Sequence, residues 1–217
     1  VDFEVLESLP AGDRDRLLQQ CGTRHFSPGE VIVAEGEVGE DFFLIEAGRV
    51  ALRITTPSGE VSTLSVLRGG QAFGEMALVS RRRRTATAIA LEPVITKVMS
   101  RPLFETLRAR HAGVDRMLVD ILASRVDRLS QQLAEALYLP VEARLARRLL
   151  TLTQVYRTAP GPVVVPLTQE DIAGIVGARR PTVNQILKRL AAAKTVELRR
   201  GGLTVLDEAA LRRLSAI

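Results

Sequence analysis

Residues 168–190 read TQEDIAGIVGARRPTVNQILKRL, and two short helices joined by a turn follow from that order. Thr168 with Asp171 three positions on is a capping-box-like helix start, a hydroxyl and a carboxylate serving first-turn N–H groups. Ile172, Ala173 and Val176 give the first helix its apolar face, and Gly177 suits the turn. A second helix is expected from Arg180-Pro181, because proline is tolerated where a first-turn N–H has no intrahelical partner. Its apolar face is Val183, Ile186, Leu187 and Leu190; its other face carries Arg180, Pro181, Asn184, Gln185 and Lys188. Arginine can bond both acceptors of guanine and Asn or Gln can pair with adenine, so this face fits what a major groove presents. An ordinary helical hairpin with a solvated face shares the pattern so far. Downstream, Val196-Glu197-Leu198 and Leu203-Thr204-Val205-Leu206 flank Arg199-Arg200-Gly201-Gly202, a hairpin whose basic tip can meet phosphates. Together they indicate a winged helix-turn-helix.

The charge distribution points the same way. Residues 1–140 hold 17 Lys and Arg against 19 Asp and Glu, while residues 141–217 hold 13 against 6. The net +5 of the 217-residue chain is therefore a near-neutral part of −2 and a basic part of +7. Two domains, the second bound to a polyanion, account for this, as does a chain with a basic tail. No stretch approaches the ~20 apolar residues of a membrane span, and no signal-peptide pattern opens the sequence, so a cytoplasmic protein without membrane contact is expected. The single cysteine, Cys21, excludes an internal disulfide framework and a Cys-rich metal centre.

Upstream of the basic part the period changes twice. The first twenty residues read as a short helix, with Asp13 to Arg16 preceding Leu17 and Leu18 and Gly22 as the stop. From Phe26 to about Val98, short apolar runs alternate with turn formers. The runs are 31–33, 42–45, 50–54, 61–66 and 87–90; the turns fall at Pro28-Gly29, Gly36, Gly39, Gly48, Pro57-Ser58-Gly59 and Gly69-Gly70. That spacing indicates a sandwich or barrel. Past Pro102 the period is helical: Leu118, Leu122, Val126, Leu129, Leu133 and Leu137 form one stripe, widened by Val114, Met117 and Ile121. A helix of roughly 25 residues is about 37 Å long, more than a small domain needs. Part of the stripe is expected to cover the barrel and the rest to meet a second copy of the chain. Pro140 marks the break before the basic part.

Within the β-rich part, residues 73–88 read FGEMALVSRRRRTATA. Glu75 and Arg84, nine residues apart around a short helical turn from Met76 to Ser80, can form a small polar pocket. A carboxylate accepts from a ribose hydroxyl and an arginine grips a phosphate with two parallel bonds. On residues alone a surface ion pair and a solvated basic loop fit equally.

FGEMAL…RRTATA resembles the phosphate-binding cassette of cyclic-nucleotide-binding domains, and Gly29, Gly36 and Gly48 resemble that domain's turn glycines. With the long helix and TQEDIAGIVGARRPTVNQILKRL, residues 3–210 resemble the CRP/FNR family of bacterial transcription regulators, nearer its cAMP-responsive members than its iron–sulfur or haem sensors. The resemblance implies an α+β chain: a cyclic-nucleotide-binding β-roll (jelly-roll-like) over 1–112, a dimerisation helix over 113–139, and a winged helix-turn-helix over 140–217. It implies a homodimer bound to double-stranded promoter DNA, with RNA polymerase as a further partner and no metal.

In the cassette the resemblance implies that Glu75 binds the ribose 2′-hydroxyl and Arg84 the cyclic phosphate. Thr85 adds a hydroxyl contact, Gly74 a backbone N–H, and Met76 lies alongside. Arg81, Arg82 and Arg83 match no family role. The family's base-contacting Thr-Ser pair falls on Leu129-Ser130, so Ser130 is retained and Leu129 departs. Cyclic AMP is the expected effector, with cGMP the alternative because Thr85 also occurs in cGMP-preferring cassettes. A ligand-independent regulator and a haem or redox sensor are further alternatives; for the latter Cys21, His25 and His111 are the available soft ligands, and they read as a core thiol and two ordinary histidines. The DNA-contacting set is Thr168, Gln169, Arg179, Arg180, Pro181, Thr182, Asn184, Gln185 and Lys188. Arg180 stands where the family's guanine-contacting arginine lies, whereas Pro181 replaces the usual glutamate and Gln185 a further arginine, so the half-site differs. The loop 158–162 reads equally as a polymerase contact or an interdomain turn. No nucleophile–base constellation suggests an enzyme.

Overall fold

The computed structural model describes residues 2–7, 9–56, 59–76, 83–110 and 113–216. The chain divides into two compact units, Val1–Val61 with Ser65–Arg128, and Ser62–Leu64 with Leu129–Ile217. In the first unit a 3-10 turn (Glu4–Leu6) and α1 (Ala11–Gln20) precede the strands β1 (Gly22–Phe26), β2 (Val31–Val33), β3 (Asp41–Ala47), β4 (Arg49–Thr55), β5 (Val61–Arg68), β6 (Ala72–Phe73), β7 (Thr87–Ala90) and β8 (Val94–Ser100). They form two four-stranded sheets, ordered β1-β8-β3-β6 and β2-β7-β4-β5.

Strand β3 shows how the sequence builds this arrangement. Phe43 and Ile45 join a core with Val50, Leu52, Phe73 and Ala88. Phe42 and Leu44 join another with Leu17, Met99, Phe104 and Met117. Successive side chains of a strand point to opposite faces, so burial on both faces makes Phe42–Ile45 a continuous apolar run. Each fully buried side chain of this size contributes about 1.5–3 kcal/mol. Gly48, at the β3–β4 turn, has φ +87°, and a Cβ there would overlap the carbonyl oxygen of Pro93. Only glycine fits.

All five apolar runs of the sequence are strands. Strand β1, Gly-Thr-Arg-His-Phe, lies outside those runs because it is almost wholly exposed; its backbone pairing with β8, Gly22 opposite Val98 through Phe26 opposite Val94, makes it a strand. Helix α2 (Arg101–Arg110) carries Pro102 in its first turn. Helix α3 (Gly113–Tyr138) has 26 residues. Val114 and Met117 are buried, with Leu118 and Ile121 packed against the same core. Further along, Val126, Leu129, Leu133 and Leu137 are 57–66% exposed. Val119, earlier on the helix, is exposed with them.

In the second unit Pro140, extended at φ −56° and ψ 150°, caps α4 (Val141–Tyr156). There follow β9 (Val163–Val165), α5 (Gln169–Val176), α6 (Arg180–Ala192), β10 (Val196–Arg199), β11 (Gly202–Val205) and α7 (Glu208–Ser215). Helix α5 starts on a complete capping box between Thr168 and Asp171, and Gly177 ends it at φ +67°. The hairpin β10–β11 gains β9 on its far edge, giving the order β10-β11-β9. Helix α4, strand β9 and helix α7 are additions to the elements read from sequence. Among the described residues no helix is long and apolar enough to cross a membrane.

Candidate functional site

The turn after β6 is made by Gly74 at φ +87°. It directs Glu75 inward, to 2% exposure. There Glu75 Oε1 accepts a 2.6 Å bond from Nη2 of Arg125, on α3. Charge-assisted bonds of this length are the strong ones, and they offset the cost of burying a carboxylate. A cavity of about 540 Å³ lies beside the pair, lined among others by Arg128, Ser124, Gln71 and Leu67; neither Arg84 nor Thr85 lines it. Burial, then the neighbouring charge of Arg125, lowers the pKa of Arg128, opposed by Glu75 and Glu4.

Arg84 enters from a segment paired with the loop that follows β2. Its N–H donates to the Glu37 carbonyl at 2.8 Å and its carbonyl accepts from Gly36 N–H at 2.9 Å. The guanidinium donates from Nη2 to the Asp41 carbonyl at 2.8 Å and from Nη1 to the Gly74 carbonyl at 3.4 Å. It lies 5.8 Å from the centre of the Phe43 ring, itself stacked on Phe73 at 4.9 Å. Burial lowers its pKa from the ordinary value, opposed by Asp41, Glu37 and Glu75 in that order. An arginine stays charged under such a shift.

The two residues expected to form the pocket thus reach one turn from opposite directions. Arg84 bonds the carbonyl of Gly74, and Glu75 is the next residue. The partner of Glu75 is Arg125, fifty residues away, which no local signal in the sequence marks. Thr85 is exposed, Met76 half-buried, and Ser130 exposed on α3 in the second unit. Arg81, Arg82, residues 77–80, where a helical turn is expected, and His111 lie outside the described residues. Arg83 is exposed and donates to the Gly36 carbonyl at 2.8 Å. Cys21 is buried in the core and His25 exposed on β1.

In the second unit Val183, Ile186, Leu187 and Leu190 are the buried face of α6. Arg180, Pro181, Thr182, Gln185 and Lys188 are exposed, and Asn184 is half-buried. Arg179 is the N-cap and is exposed. Thr168 is exposed and Gln169 half-buried at the start of α5. Arg180 Nη1 lies 3.4 Å from Glu170 Oε2 across solvent. An exposed pair of this kind contributes under ~1 kcal/mol, so Arg180 remains available to a stronger acceptor. The tip of β10–β11 turns on Gly201 at φ +78°, with Arg200 exposed beside it.

The description "cyclic nucleotide-binding domain" matches residues 23–111, and "Crp-like helix-turn-helix domain" matches residues 143–214. A CRP-like cAMP-activated global transcriptional regulator of Mycobacterium tuberculosis is 30% identical over 200 residues, covering 91% of this chain and 89% of that one. The chain belongs to the CRP/FNR family. A cyclic AMP receptor protein of Thermus thermophilus is 29% identical over 211 residues, 97% of this chain and 96% of its own. Among solved structures, a CRP/FNR-family transcriptional regulator from Thermus thermophilus superposes with a TM-score of 0.78 over 90% of this chain and 99% of its own, at 24% identity. This CRP/FNR-family chain is a DNA-binding transcription regulator with a cyclic-nucleotide-binding domain, and its family comprises regulators rather than enzymes.

Proposed function

We propose that this CRP/FNR-family chain is a cAMP-responsive, sequence-specific regulator that binds promoter DNA as a homodimer. Residues 1–112 are the effector domain, 113–139 the dimerisation helix and 140–217 the DNA-binding domain. The observation that carries the effector reading is the Gly74 turn, whose carbonyl seats the Arg84 guanidinium and whose next residue is the buried carboxylate of Glu75. Arg84 commits two of its five N–H donors to carbonyls, which fixes the plane of the fork and leaves donors for a phosphate oxygen. Glu75 accepts the ribose 2′-hydroxyl, Gly74 supplies an N–H, and Thr85 a hydroxyl; Met76 flanks the site, and Ser130 is the retained member of the family's base-contacting pair. Because Glu75 also holds Arg125 of α3, a hydroxyl bound at Glu75 is felt by the long helix. The effector regulates only if it binds the DNA-competent conformer more tightly than the other.

The dimer reading rests on α3. Val119, Val126, Leu129, Leu133 and Leu137 are exposed at spacings of seven, three, four and four, the seam of a two-stranded coil. Two-fold symmetry then brings two recognition helices to successive major grooves about 34 Å apart. Arg180 reads guanine, with Asn184, Gln185, Thr182 and Lys188 on the same groove-facing side; Pro181 packs against the groove. Thr168, Gln169 and Arg179 hold phosphates at the helix starts. The compartment is the cytoplasm, and polymerase is a further partner.

Titration calorimetry with cAMP and cGMP on the wild type and Arg84→Ala tests the effector. Tight cAMP binding lost in Arg84→Ala is expected; tighter cGMP binding reassigns the nucleotide, and no binding of either removes the sensor. Arg180→Ala tests the groove reading. It is expected to weaken a specific site by about 1–3 kcal/mol while random DNA is little affected, and equal losses on both overturn it.

A further inference from the structure

Gly39, in the loop before β3, has no positive φ, so its conformation does not call for glycine. Space does. A Cβ built there would overlap Nε and Cζ of Arg84 and stand 2.5 Å from its Nη2. The overlapped atoms are the end of a flexible side chain, not backbone, so a methyl group is accommodated by displacing the guanidinium. On its other sides that guanidinium is bounded by the Asp41 carbonyl, the Gly74 carbonyl and the Phe43 ring. At Gly74, too, an added Cβ would lie 2.8 Å from Nη1. The fork therefore has one seat, and two glycines shape it. Gly74 is also required by its φ of +87°, whereas at Gly39 the three atoms nearest an added Cβ all belong to the Arg84 guanidinium.

We propose that Gly39 is a positioning residue for recognition of a phosphodiester anion: the absent Cβ forms the seat from which Arg84 presents its remaining donors. This rests on the reading of Arg84 as the phosphate ligand, and it assigns to the loop after β2 a part in setting affinity. A guanidinium pushed out by a methyl group loses the two carbonyl bonds that fix its plane, and a bidentate phosphate contact depends on that plane.

The test compares Gly39→Ala with Gly22→Ala, where an added Cβ meets nothing within 4 Å. By calorimetry on the full chain, cAMP affinity is expected to fall about tenfold or more in Gly39→Ala and to stay within about twofold in Gly22→Ala. Both variants are expected to keep a single cooperative unfolding transition, with Gly39→Ala the less stable by about the cost of the two lost carbonyl bonds. Arg84→Lys, whose smaller head does not fill the seat, is expected to lower affinity strongly alone and little when added to Gly39→Ala, because the aligned fork it removes is already lost. Full cAMP affinity in Gly39→Ala overturns the proposal, as does strict additivity of the two substitutions. A ligand-free readout separates this failure from failure of the nucleotide reading. The Nε–Hε resonance of Arg84, assigned by its loss in Arg84→Lys, is expected to shift in Gly39→Ala and not in Gly22→Ala. If the wild type binds no cyclic nucleotide, recognition of the phosphodiester falls; a shifted resonance still upholds the seat, and an unshifted one removes that too.

Discussion

At the scale of single residues, the site depends on how buried charges are matched. Arg125→Ala leaves the Glu75 carboxylate inside the first unit without its 2.6 Å partner. A loss of about 3 kcal/mol is expected in urea unfolding, the lower end for a broken buried pair because the Arg125 side chain is 32% exposed. Combining it with Glu75→Gln is expected to cost less than the two losses together, since the second change removes the stranded charge. Cys21 gives a pH signature. Burial pushes its thiol up from 9.0 to about 11, opposed by Lys97. Between those values the folded chain keeps a proton that the unfolded chain releases, so the contribution of Cys21 to stability is constant below pH 9 and falls as the pH rises to about 11. The loss is at most roughly 3 kcal/mol, and Cys21→Ala is expected to remove that part of the alkaline slope. Glu75 and Arg84 were legible because they lie in one short cassette whose resemblance is carried by neighbouring residues. Arg125 and Gly39 were not, since their roles exist only through contacts made 50 and 45 residues away.

Among the elements, α5 is the one most completely written in its sequence. The Thr168–Asp171 box is reciprocal, with Thr168 Oγ1 accepting from Asp171 N–H and Asp171 Oδ2 accepting from Thr168 N–H, both at 3.1 Å. Thr168→Ala is expected to lower stability by about 1 kcal/mol in thermal unfolding, with weaker DNA binding at high salt and low salt alike. Helix α4 is the opposite case. Its buried positions Leu145, Ala146, Leu149, Leu152 and Tyr156 have helical spacing, yet the same stretch was legible only as a basic segment. Three of its arginines turn inward: Arg148 Nη2 donates to Glu135 at 2.6 Å, Arg147 Nη1 to the same carboxylate at 3.2 Å, and Arg144 Nη1 to the Ala136 carbonyl at 3.1 Å. These tie the end of α3 to α4. Glu135→Ala removes the carboxylate that Arg147 and Arg148 share and is expected to cost about 1–3 kcal/mol, read by chemical unfolding. Part of the +7 that suggested a DNA-binding face is therefore structural charge.

For the whole molecule, dimerisation and DNA affinity are the properties to measure. Leu133→Glu places a charge on the exposed stripe of α3, where Leu133 is 61% exposed. It is expected to shift the sedimenting species toward monomer with an unchanged circular dichroism spectrum; a wild type that sediments as a monomer removes the dimer reading. DNA affinity is expected to fall linearly with log salt, each phosphate contact adding about 0.9 to the slope, and Arg179→Ala to reduce that slope by about one. By itself the sequence determined the periods: short strands between glycines, one long apolar stripe, and two short helices, the first capped and the second with a polar outer face. Those features are set by neighbours within a few residues, where side-chain spacing and backbone conformation are fixed by local sterics. Tertiary structure decided what each feature meets. It made a strand of the exposed β1, split the stripe of α3 between a buried half and an exposed half, and gave Glu75 its arginine. It also put a guanidinium where Gly39 lacks a side chain, because burial and charge pairing depend on residues brought together from far along the chain.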